Sequence, residues 1–257
     1  VYDRIVVSDQ SIRPFTVVLL PGLDGTGNLF APLIPELPRA LHLIIAAYPR
    51  ERFLSYPELV SWLGELVPGD GPFAILGESY GSTLAVKFAA THPPNLTGVI
   101  LSAGFISNPV RKWGPLPKLL ARPWLFRFHP PDFLREYFTL GFGAPESLKL
   151  ILRRTVRSIN TEAFAKRARA AIECDAREEI REVKVPLLYL QAANDRLVGS
   201  ECLDEIKRLH PLTISISIQA PHLLLQREPR VAAQAITQFL ETHCRPKGSG
   251  AESSSTG

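Results

Sequence analysis

Methionine is absent from all 257 residues, the first position included, so the chain is expected not to be a raw translation product from its first residue. Cysteine is scarce. Cys174, Cys202 and Cys244 are odd in number and far apart, with no C-x-x-C pair and no nearby histidine cluster. That pattern excludes a disulfide framework and a zinc site as organising features and leaves free, buried thiols as the expectation. Long apolar runs are also missing. No stretch is long and uninterrupted enough to cross a bilayer, and the opening VYDRIVVSDQ is charged within four residues and lacks the apolar centre of a signal peptide. No integral membrane segment is therefore expected. A cytoplasmic protein of a reducing compartment fits, with the mature form of a secreted protein left open.

What is present is enough apolar material, 46% of the residues against 21% charged, for one large α/β domain or one domain with an insertion. The net charge of +4 is unevenly spread: residues 106–184 hold 16 Lys/Arg against 9 Asp/Glu, leaving 13 against 16 elsewhere. A basic block can mark a nucleic-acid surface. Here no nucleic-acid motif accompanies it, and its charges recur among helically spaced apolar residues, so a solvated helical face is expected and nucleic acid is not.

Runs rich in Val, Ile and Leu occur at FTVVLL (15–20), LIIAAY (43–48), FAILG (73–77), LTGVILS (96–102), VPLLYLQA (185–192) and TISISI (213–218). Four of them are almost unbroken, the pattern of strands in a parallel sheet covered on both faces. Helical segments lie between, at roughly 57–67, 81–91, 200–209 and 229–243, and strands alternating with helices of this length predict a doubly wound, mostly parallel sheet. The alternation stops after Ser102. From Phe105 to about Lys184 there is much Leu, Arg, Phe and Trp, six prolines between positions 109 and 131, and then a long helical stretch from about Pro145 to Arg181. The expected organisation is a core of residues 1–104 and 183–243, a helical cap insertion over 105–182, and a disordered tail or expression remnant over 244–257, whose RPKGSGAESSSTG is Gly/Ser-rich.

Where FAIL hands over to a helix, the chain reads GESYGS. A serine that must lift its Oγ clear of a sheet needs a very tight strand-to-helix turn, in which residues two positions either side approach too closely for a Cβ. Gly77 and Gly81 meet that demand around Ser79, and the helix N-terminus beyond supplies N–H groups and a positive dipole end. The same pentapeptide also fits an ordinary βα turn with a capping serine. A nucleophilic serine further needs a base and an orienting acid. PLLYLQAAND places Asp195 just past one strand, and TISISIQAPH places His222 just past the next, both at the sheet edge where sites form in open α/β sheets. Asp175 and Asp204 are rivals in helical stretches. His42, His92, His129, His210 and His243 occupy positions better suited to surface or packing roles. An oxyanion hole needs two backbone donors. Tyr80, directly after the serine, offers one, and Leu23, in the glycine-rich loop PGLDGTG after the first long strand, offers the other. As a phosphate cradle that loop lacks the required lysine and glycine spacing.

The constellation resembles the α/β-hydrolase fold superfamily over essentially residues 1–243. LPGLDGTGNLF looks like the corresponding stretch of bacterial esterase/lipase-like hydrolases and of plant plastid phytyl-ester acyltransferases, and GESYGSTLA is similar to proline iminopeptidases. Many members carry His-Gly before the oxyanion residue where this chain has Pro21-Gly22, a departure that touches subfamily more than mechanism. The resemblance implies Ser79, Asp195 and His222 as nucleophile, acid and base, Leu23 and Tyr80 as oxyanion donors, and a serine carboxylester hydrolase acting on a small-molecule ester with no metal or organic cofactor. An acyltransferase using the same acyl-enzyme, an aminopeptidase with an amine-binding carboxylate in the cap (Asp132 or Glu136, for example), and a non-catalytic ligand-binding protein stay open. So does the oligomeric state. Aromatic residues of the insertion, among them Trp113, Trp124, Phe126, Phe128, Phe133 and Phe138, are candidates either for packing the cap or for lining an acyl pocket.

Overall fold

The structure, a computed structural model, describes residues 5–7, 15–50, 52–111 and 132–244. Among the described residues seven strands form one sheet: β1 (Ile5–Val7), β2 (Thr16–Leu20), β3 (His42–Ile45), β4 (Phe73–Glu78), β5 (Leu96–Ser102), β6 (Leu187–Ala192) and β7 (Ile214–Ile218), in the order β1-β3-β2-β4-β5-β6-β7. Strands β2 to β7 are all parallel, and β1 pairs antiparallel on the outside of β3. The six predicted strands are present. Strand β1, only three residues long, was not anticipated: three residues are too few to set up a periodicity.

The near-unbroken apolar runs have a simple cause. Strand side chains alternate between faces, and here each face meets its own core. Val18, Leu20, Ile75, Val99, Leu101, Leu187 and Tyr189 belong to one cluster, and Val17, Leu19, Ala74, Leu76, Ile100, Leu188 and Leu190 to the other. The first face is covered by α1 (Tyr56–Leu66), α2 (Tyr80–Ala89) and, later in the chain, the helices at Arg177–Glu182 and Ser200–Leu209. The second is covered by the helix at Pro229–Phe239 and the π-helical turn Leu240–Cys244. The chain is thus packed through Cys244, one residue into the expected tail. All three thiols are free and buried, and burial raises each thiol pKa to about 12, which makes them poor nucleophiles.

In the insertion, the helical stretch expected from 145 to 181 is three helices, α4 (Glu146–Ser158), α5 (Thr161–Glu173) and α6 (Arg177–Glu182), preceded by α3 (Asp132–Thr139). The break before α5 is made by Asn160, whose side chain accepts from the N–H groups of Glu162 and Ala163 and so caps a new helix. Leu140, Ala144, Leu148 and Leu152 of this region pack with Leu29 and Leu223, joining the insertion to the loop after β2 and the loop after β7. Beyond it lie α7 (Ser200–Leu209), α8 (Leu224–Arg227) and α9 (Pro229–Phe239). Trp113, Trp124, Phe126, Phe128 and His129 fall outside the described residues. No described helix is long and apolar enough to cross a membrane.

Candidate active site

Parallel strands all end on the same edge, and β2, β4, β6 and β7 deliver Leu23, Ser79, Asp195 and His222 there. Ser79 follows β4 with φ 52° and ψ −113°, a left-handed conformation that L residues avoid. The turn is enforced from both sides. A Cβ on Gly77 would strike the Gly81 carbonyl, and one on Gly81 would strike the carbonyls of Leu20 and Pro21. Ser82 donates its hydroxyl to Gly77 O at 2.7 Å, and Ser79 N donates to Ser102 O at 2.9 Å. The strain is thus held by a surrounding network, as expected where a side chain must be presented in one direction.

His222 Nε2 lies 3.0 Å from Ser79 Oγ, and His222 Nδ1 lies 2.7 Å from Asp195 Oδ2. A carboxylate can only accept, so Nδ1 carries the proton and Nε2 is left to accept from the serine. The other Asp195 oxygen accepts from Leu197 N at 2.8 Å and Val198 N at 2.9 Å, which fixes the carboxylate plane against the ring. Ser79 is 9% exposed and His222 5%, so water screens this relay poorly. Burial on its own favours the neutral ring, but the charge and hydrogen bond of Asp195, with Glu78 adding to them, outweigh it and raise the His222 pKa above its ordinary value. Among the described residues the N–H groups of Leu23 and Tyr80 meet no acceptor. Gly22, next to Leu23, approaches within 3.7 Å of Ser79 Cβ, measured from where a Cβ of its own would stand.

The rivals are elsewhere. Asp175 is held by Arg177, Asp204 is exposed on α7, His42 contacts Thr16 Oγ1, and His210 contacts Thr213 Oγ1. Two residues near the serine carried no sequence signal. Glu78 is 2% exposed and accepts from Gln226 Nε2 at 2.9 Å. Burial raises its pKa to about 7, with Asp24 pushing the same way and the Gln226 bond and His222 opposing. The motif leaves the position before the serine unrestricted, so nothing marked it. Arg167, 4% exposed, sits inside the block read as a solvated face; it is a buried cation among otherwise ordinary helix charges.

A family model described as serine aminopeptidase, S33, matches residues 58–211. Pyrrolizixenacetamide deacetylase from Xenorhabdus hominickii is 24% identical over 180 residues, 66% of this chain and 65% of that protein. The biotin biosynthesis bifunctional protein BioHC from Cellvibrio japonicus (strain Ueda107) is 26% identical over 231 residues, 86% of this chain and 44% of its own length. The chain thus spans less than two thirds of these two relatives. Among solved structures, the esterase EaEST from Exiguobacterium antarcticum superposes with a TM-score of 0.78 at 15% identity, covering 93% of this chain and 95% of that one, a likeness of fold.

Proposed function

The chain belongs to the serine aminopeptidase S33 family of hydrolases, within the α/β-hydrolase superfamily, and from that premise we propose that it is a serine carboxylester hydrolase working through an acyl-enzyme on Ser79. The observation that carries this reading is the unbroken relay from Asp195 through His222 to Ser79, at 2.7 and 3.0 Å, with the Leu23 and Tyr80 N–H groups meeting no acceptor among the described residues. In the first half-reaction His222 Nε2 takes the Ser79 proton as Oγ bonds to the ester carbonyl carbon. The carbonyl oxygen becomes an oxyanion held by the N–H groups of Leu23 and Tyr80. Collapse of this intermediate breaks the carbon–alkoxy bond, and the imidazolium returns its proton to the departing alcohol. Water then repeats the sequence on the acyl-enzyme, releasing a carboxylic acid and restoring Ser79. Asp195 orients the ring through Nδ1 and stabilises the imidazolium.

Ester is preferred over an aminopeptidase substrate because a free amino terminus needs an available carboxylate. The insertion's carboxylates are engaged: Arg153 binds Glu136 at 2.8 Å, Glu146 at 3.0 Å and Asp132 at 3.5 Å. In the loop after β2, the Oδ2 of Asp24 accepts from both the N–H and the hydroxyl of Thr26. On the same reading residues 105–182 act as a cap, consistent with the contacts of Leu140, Leu148 and Leu152 with Leu29 and Leu223 on either side of the site, and its pocket selects the acyl group. The test is a chain-length series of nitrophenyl esters run beside aminoacyl nitroanilides, with fluorophosphonate labelling of wild type and Ser79→Ala. Ester turnover and labelling lost with Ser79 are expected. Turnover of the nitroanilides alone would transfer the site to peptide chemistry, and ester products formed when an alcohol competes with water would make it an acyltransferase.

A further inference from the structure

The loop that carries Leu23 is tied down at every carbonyl from residue 21 to residue 25. Pro21 O accepts from Tyr48 Oη at 2.7 Å, Gly22 O from Gly25 N at 3.1 Å, and Gly25 O from Tyr48 N at 2.8 Å. The two between them, Leu23 O and Asp24 O, both accept from Arg167 Nη1 at 3.2 Å. Arg167 comes from α5, 144 positions along the chain from Leu23. Its guanidinium also reaches Pro49 O at 3.5 Å and lies over the Tyr48 ring, 5.3 Å from the centroid. A Cβ on Gly25 would stand 2.5 Å from Nη1, so the loop closes on the cation as tightly as a glycine permits.

A buried cation is costly unless paired, and a carboxylate is its usual partner. Here the Oδ2 of Asp24 accepts from Thr26, and the guanidinium takes the backbone oxygens of Leu23, Asp24 and Pro49. The direction of a peptide N–H is set by the dihedrals on either side of it, since each peptide unit is a rigid plane. The Leu23 N–H shares its plane with the Gly22 carbonyl, which accepts from Gly25 N, and the planes on either side of it are held by Tyr48 on the Pro21 carbonyl and by Arg167 on the Leu23 carbonyl. We propose that Arg167 is a positioning residue for the oxyanion hole, through which the helical insertion aims the Leu23 N–H at the reacting carbonyl oxygen. The inference rests on the reading of Ser79 and Leu23 given above and adds to it a residue remote in sequence that touches neither substrate nor nucleophile.

The test compares wild type, Arg167→Gln and Arg167→Lys on one nitrophenyl ester, with folding checked by circular dichroism and thermal melting. For folded Arg167→Gln we expect kcat to fall about 10- to 100-fold, approaching the loss of one oxyanion donor, with KM within about threefold of wild type. Affinity for a trifluoromethyl ketone, whose serine adduct carries an oxyanion, should fall in step with kcat/KM. Affinity for the product carboxylic acid should not. Arg167→Lys keeps a cation on α5 but loses the fork, so it should show the same split in smaller measure, and it serves as the test if Arg167→Gln does not fold. A folded variant that loses only KM, that weakens ketone and product alike, or that matches wild type would overturn the proposal. Failure of the wild type itself to hydrolyse esters or label with a fluorophosphonate would instead remove the esterase reading beneath it.

Discussion

Ser79 is held in a conformation its side chain disfavours and points into a hydrogen bond with His222, and both features have measurable consequences. Ser79→Ala removes one oxygen and should lower kcat on a nitrophenyl ester by on the order of 10^4-fold or more while the melting temperature stays close to wild type. A folded alanine variant with near-normal turnover would mean another nucleophile. Asp195→Asn should be severe as well, because an amide can present its NH2 to Nδ1 and stabilise the wrong tautomer of His222. On the proposed reading His222 is the base, and a base works only when neutral. Since Asp195 and Glu78 together raise the His222 pKa above the ordinary 6.5, the rising limb of kcat/KM against pH should have its midpoint above that value. Glu78→Gln removes one of the raising charges, so its limb should shift to lower pH. An unmoved limb would show that Glu78 does not reach the ring electrostatically.

The turn between β4 and α2 and the loop after β2 are built against each other, because the space a Cβ on Gly81 would need is filled by the carbonyls of Leu20 and Pro21. Gly81→Ala should therefore act on both elements. It must push the strand end and the loop after β2 away from Ser79, at a cost of about 1–3 kcal/mol in urea unfolding, and on the proposed reading kcat should fall in the protein that remains folded. A stable, fully active Gly81→Ala protein would contradict the close approach of these two elements. The glycine pair was legible in the sequence because tight turns constrain residue type locally. The partition of the 145–181 stretch into three helices was less so: the apolar Ile159 continues the spacing, yet it takes an extended backbone that closes one helix at Ser158, and Asn160 caps the next.

At the scale of the whole molecule, burying Glu78 between the two halves of the chain ties stability to pH. Its folded pKa of about 7 lies above the ordinary carboxylate value of 4.5, so the native state holds this proton more tightly than the unfolded chain. The contribution is fully present below the unfolded pKa and is lost as pH rises through the folded one, a swing of about 3 kcal/mol at most. His222, also raised, acts in the same direction. Thermal melts of wild type and Glu78→Gln at pH 5 and pH 8 should therefore diverge, with the variant gaining relative to wild type at the higher pH. Equal differences at the two pH values would mean that Glu78 is ionised in the native protein throughout.

The sequence by itself determined the doubly wound sheet, the order Ser79, Asp195, His222 and their places at strand ends, since strand periodicity, turn chemistry and the sidedness of parallel strands are all readable within a few residues. The environments of those groups were decided only by the tertiary structure. Glu78 is buried against Gln226, 148 positions away, and Arg167 is buried against Leu23 and Asp24 from a helix whose other charges face outward. Nothing within a local window separates a lysine- and arginine-bearing helix face in water from one cation turned inward. That difference depends on which distant carbonyls the fold brings to it, and a buried charge is tolerated only once they are in place.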